Sequence, residues 1–248
     1  FIVAFFFFFL QPFSYLVEKI IPGKVETLPI WPEFLDDRSL QDPGTALEQV
    51  RKELRRQMYL VQRMCAASMD LIPHFGEGRA RDIRYIELVV DNLRRELNRY
   101  LMKISRGGLS AELSRKLFAY SGISDDIERI GNHAVYVVDL ARERHRGDIE
   151  FTRWAYAEIE EIADLINRNM EDAVSLLDGV SSELISRIFS REDRIDRLVR
   201  EARKRHQERY LSCICQPEAG PIYVEMLIRL ERMSDHCENI AEYARDLK

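Results

Sequence analysis

The chain has 248 residues, 46% of them hydrophobic and 32% charged, with 11 Gly and 8 Pro; this composition reads as globular and favours packed helices. The net charge of -5 offers no basic face of the kind a nucleic-acid binder needs, so no nucleic-acid partner is expected. Four cysteines (Cys65, Cys213, Cys215, Cys237) in a chain this long exclude a disulfide framework, and the Cys213-x-Cys215 pair has no second pair at a zinc-like spacing.

The chain opens with FIVAFFFFFL. Ten apolar residues are too few to cross a bilayer, which needs about 20, and no basic n-region or small-residue cleavage site marks a signal peptide. Residues 1–21 are therefore expected to be the end of a transmembrane helix, with Gln11, Pro12, Glu18, Lys19 and Lys24 marking its exit into water. Residues 22–45 hold four prolines and no helical period, which predicts a linker. From Ala46 onward helical sequence is broken at 73–78 (PHFGEG), 106–108 (RGG), 145–148 (HRGD), 178–179 (DG) and 216–221 (QPEAGP). These breakers predict six helices in two units, 46–145 and 149–248.

The second unit echoes the first. ISDDIERIGNHAVYVVDLA (123–141) aligns without a gap on MLIRLERMSDHCENIAEYA (226–244), and RYIELVVDNL (84–93) parallels SREDRIDRL (190–198). The apolar positions Ile123, Ile127, Ile130, Ala134, Val137 and Ala141 answer to Met226, Leu230, Met233, Cys237, Ile240 and Ala244, a 4-3-4-3-4 spacing that makes a bundle seam. The predicted fold class is all-α, an antiparallel three-helix bundle duplicated in tandem.

Polar residues recur in the same copies. Glu87 and Asp91 answer to Glu192 and Asp196, and Glu128 and Asn132 to Glu231 and Asp235. Each is an i, i+4 set on one helix face, where paired carboxylates repel unless a cation compensates them. On the residues alone a metal site and a solvated acidic face both fit, because 42 of the 248 residues are acidic. The seam register sets Glu231 and Asp235 away from the core stripe, so a surface site is expected rather than an inward-facing di-iron centre with Glu-x-x-His pairs. His133 and His236 also occupy equivalent positions, and a structural role is expected of them. No nucleophile–base pattern or phosphate-cradling Gly loop is present, so no enzyme is expected.

IERIGNHA (127–134) and LERMSDHCENIAEY (230–243) resemble the signature of the PhoU family of phosphate-transport regulators. The resemblance implies a tandem three-helix fold with iron or zinc clusters on acidic motifs. It implies metal at Glu192, Asp196, Glu231, Asp235 and Asn239 in the second repeat, and a weaker site at Glu87, Asp91, Glu128 and Asn132 in the first. The first repeat departs from the family pattern at Asn132 and Tyr136. Regulatory protein partners are implied as well, with a homo-oligomer left open. Together with the apolar opening, the junction FLDDRSLQDPGTALEQVRKEL is similar to that of bacterial sodium/phosphate symporters, in which a PhoU-like domain follows the last membrane helix. That similarity implies an inner-membrane location, with 46–248 on the cytoplasmic side, next to a transport domain. The alternative is a free-standing PhoU regulator acting on a separate transporter and sensor kinase.

Overall fold

A computed structural model describes residues 28–247. The expected membrane-helix stub, 1–21, lies outside the described residues, as does the first part of the expected linker. Among the described residues are six α-helices: α1 (Pro43–Asp70), α2 (Glu77–Ser105), α3 (Ala111–Arg146), α4 (Arg153–Asp178), α5 (Ser182–Leu211) and α6 (Ala219–Ala244). The helices break where the sequence signals a stop. Asp42, Ser110, Thr152 and Ser181 cap α1, α3, α4 and α5 by accepting first-turn N–H groups, each such cap contributing about 1 kcal/mol. Helix α1 starts at Pro43, earlier than the expected Ala46, because Asp42 caps it and a proline at the first position loses no helical hydrogen bond.

Helices α1–α3 form one antiparallel bundle and α4–α6 a second, and the two bundles pair like with like, α3 on α6 and α1 on α4. The seam predicted from the repeat is the contact line: all twelve of its apolar positions are buried. His133 and His236 stack across it, with ring centroids 5.4 Å apart. At Gly122 of α3 a side chain would collide with the Tyr243 ring of α6, so the missing Cβ lets these two helices approach. The offset of 105 residues that separates Glu87 from Glu192 also aligns α1 with α4, buried on buried: Leu54 with Ile159, Val61 with Ile166, Cys65 with Met170, Leu71 with Leu176.

Residues 28–42, inside the stretch expected as linker, are laid along the groove between α1 and α2. Glu53, fully buried, accepts the N–H groups of Glu33 (2.9 Å) and Phe34 (3.0 Å), while Arg56 donates to the carbonyls of Pro29 and Trp31. On α2, Asn92 donates to Ile30 O (2.9 Å), Tyr85 to Leu28 O (3.2 Å) and Tyr100 to Asp36 O (2.7 Å). This strap is held by side chains reading backbone groups, which no local pattern in its own sequence announces.

The expected inner-membrane location is corrected here. Among the described residues no helix is long and apolar enough to cross a membrane. The helices are amphipathic instead, with a buried stripe opposed by Arg, Glu and Asp that lipid would have to strip of water.

Candidate metal centre

The second repeat gathers its acids where α5 lies against α6. Glu192 and Asp196, one turn apart on α5, meet Asp235 of α6, and one carboxylate oxygen from each falls within 4.8 Å of the others. Among the described residues this is the one group of three or more His, Cys, Asp or Glu side chains placed to share an ion. All three are partly buried, at the rim of the bundle rather than in its core.

The electrostatics are those of crowded like charges. Burial, reinforced by Asp196, Glu238 and Asp235, pushes the Glu192 carboxyl up to about 8, and Glu192 and Asp196 share a hydrogen bond that a proton must occupy. Glu231 is raised by burial and then by Asp196 and Asp235, and Glu238 by burial and then by Glu242, Asp235, Asp193 and Asp196. Among the described residues the direct counter-charges are Arg200 on Asp196 (3.3 Å) and Arg232 on Asp235 (2.9 Å). Both arginines are largely exposed, and such surface pairs are worth less than about 1 kcal/mol. An all-oxygen donor set with this unrelieved repulsion fits a hard or borderline cation, which would replace the shared proton.

The remaining expected ligands fall differently. Glu231 adjoins the cluster electrostatically without supplying an oxygen to the group of three. The Asn239 amide nitrogen donates to Asp126 (3.2 Å), beside the contact of His236 Nδ1 with the same oxygen (2.7 Å). Asp126, His236 and Asn239 thus belong to the α3–α6 seam.

In the first repeat the corresponding acids are partly answered by neighbouring groups. Asp91 is taken by Arg95 (3.0 Å) and Arg94 (3.5 Å), and Asn132 donates to Glu128 (3.0 Å). Glu87 is raised by burial and then by Asp91 and Glu128. No third ligand converges there. Searching for acids present in both copies overlooked Glu238 and Asp193, which stand opposite Val135 and Leu88 in the first repeat. Their signal was visible only as acids beside a motif, not as a repeat.

A three-helix bundle duplicated in tandem, with an acidic rim on its second copy, defines the class. The PhoU domain family matches this chain twice, over residues 54–141 and 159–244, one match on each bundle, and the chain belongs to that family. It is similar to the phosphate-specific transport system accessory protein PhoU homolog 1 of Thermotoga maritima, 21% identical over 197 residues, which covers 78% of this chain and 83% of the relative. The fold is that of PhoU from Pseudomonas aeruginosa (TM-score 0.74, 23% identity, 81% of this chain and 96% of that one). The phosphate transport system regulatory protein PhoU from Streptococcus pneumoniae matches as well (TM-score 0.73, 14% identity, 83% and 96%). These relatives correct the symporter assignment. They are named as accessory and regulatory proteins, and this chain matches most of their length.

Proposed function

We propose that this chain is a PhoU-type regulator of phosphate uptake that acts by contact with protein partners and has no catalytic role of its own. The observation that carries this reading is the double family match, one PhoU domain on each three-helix unit, with relatives named for phosphate-specific transport. Deleting the host's own PhoU and expressing this chain tests it. The reading expects phosphate uptake in phosphate-rich medium to fall back under control. Uptake that stays unchanged while folded protein accumulates would sink it.

The second-repeat acids are proposed to hold iron or zinc as a structural element of that regulator. Glu192, Asp196 and Asp235 would bind it, with Glu231 within reach of its field. The cation would supply positive charge that relieves the carboxylate repulsion and ties α5 to α6, stiffening the face a partner meets. Iron and zinc, added separately to chelator-treated protein, should each bind with release of protons and raise the melting temperature. A flat melting temperature with both would leave the acids as a solvated face.

A further inference from the structure

The cleft between the last turns of α5 and the first turn of α6 is lined by Arg203, Lys204 and His206. It has a volume of about 620 Å³ and no carboxylate lines it, in a chain whose net charge is -5. The other arginines of this part of α5 are spent: Arg200 on Asp196, Arg205 and Arg209 on Glu158. Arg203 and Lys204, both exposed, face the cleft and stand in no salt bridge among the described residues. His206 lies at its floor with 8% of its surface exposed, and neither ring nitrogen has a hydrogen-bond partner among the described residues. Its Nε2 faces Gly220 so closely that a Cβ there would sit 3.2 Å away. Burial, then Arg209, lowers the His206 pKa, which leaves a neutral ring able to donate one N–H.

The opposite wall is the start of α6, a helix of 26 residues with no side-chain cap. The N–H groups of Ala219 and Gly220 are already turned to the carbonyls of Gln216 and Pro217, so this end offers the positive pole of the helix dipole rather than direct donors. A largely buried imidazole with no hydrogen-bond partner among the described residues, packed on Tyr223 and lining a basic, acid-free cleft at a helix N-terminus, is an arrangement that takes an anion.

We propose that this cleft binds a phosphate-type oxyanion, either free phosphate or the phosphate of a monoester. Arg203 and Lys204 supply charge; His206 and Gln207 supply neutral donors. Tyr210 and Pro221, on the rim, would pack against the organic part of a monoester. Arg203 also acts through space on Glu231 at the edge of the acidic patch, while Lys204 and His206 line the cleft; the proposal depends on neither the metal nor the regulator reading.

The test is titration calorimetry on the full chain, treated with chelator so that no metal can capture the anion. Inorganic phosphate is the probe in one arm and AMP in the other. The wild-type chain should bind at least one, and the Arg203→Gln, Lys204→Gln double variant should bind it about tenfold more weakly or worse, with an unchanged melting temperature. Gly220→Ala removes no charge but brings a methyl against His206 Nε2, and it should weaken the same probe. Tighter binding of AMP identifies a monoester, and equal binding of the two identifies free phosphate. If the wild type binds neither probe, or the double variant binds as well as the wild type, the cleft is not an anion site.

Discussion

Glu53 and Glu158 occupy the same position in two copies of one fold, and each copy neutralises its buried carboxylate differently. In the first bundle Glu53 accepts two backbone amides of the strap and one arginine of its own helix, Arg56. In the second, Arg209 grips Glu158 with both terminal nitrogens (3.0 and 2.8 Å), Arg205 adds a third bond (2.8 Å), and the Tyr223 hydroxyl donates a fourth. A duplicated scaffold fixes where a charge is buried and leaves its partner free to diverge. The acidic rims show the same split: arginines and an amide quiet the first, while the second keeps its repulsion.

The largest effect should come from Glu158. Glu158→Ala leaves Arg209 and the Tyr223 hydroxyl buried without their acceptor, and breaking a pair of this kind costs about 3–5 kcal/mol. Glu53→Gln keeps one acceptor oxygen and should cost only about 1–2 kcal/mol, mostly at the strap. Urea unfolding ranks the two, and amide exchange locates the second. The Glu33 and Phe34 amides should lose protection in the Glu53 variant while the α3–α6 seam keeps its own. Equal destabilisation by both would erase the distinction between the two buried carboxylates.

Next comes pH. Burial would raise Glu158, but hydrogen bonds from Arg209, Tyr223 and Arg205 override it and hold the carboxyl below its ordinary 4.5. Its contribution is therefore present above that value and is lost as pH falls through the lowered one. Glu192 runs the other way. Raised mainly by burial to about 8, it favours folding fully below pH 4.5, and that contribution drains away as pH climbs to about 8. Metal-free protein should thus melt lower at pH 8 than at pH 5.5. Glu192→Gln should flatten that slope, and bound cation should reverse it. A slope unchanged in the variant would remove Glu192 as its source.

The smallest effect is a conversion. Asn132→Asp removes the amide that bonds Glu128 and restores the acid found at Asp235 in the other copy. Without metal it should cost a few tenths of a kcal/mol through like-charge repulsion. With metal it should add weak binding to the first repeat, read as a second, lower-affinity phase in a zinc titration.

The helices, their breaks and the seam were legible in the sequence because period and breakers are local. Asp42-Pro43 also announced the true start of α1, although the apolar period begins only at Ala46. The strap was not legible: its partners Glu53, Arg56, Tyr85, Asn92 and Tyr100 lie from 19 to 64 residues away and hold it mainly by its backbone groups. The acids of the rim were legible as a repeated pair, but their convergence was not, because it depends on how α5 and α6 are set side by side. Asn239 shows the limit of carrying a motif over: it keeps the expected position, yet its amide serves Asp126 in the seam.

The most direct test of the account is metal content by elemental analysis of three proteins purified alike: the wild type, Asp196→Asn with Asp235→Asn, and Asp91→Asn. The account predicts iron or zinc in the wild type and in the Asp91 variant, and its loss from the double variant. Metal that persists in the double variant, or disappears with Asp91 alone, would contradict a centre built on the second repeat.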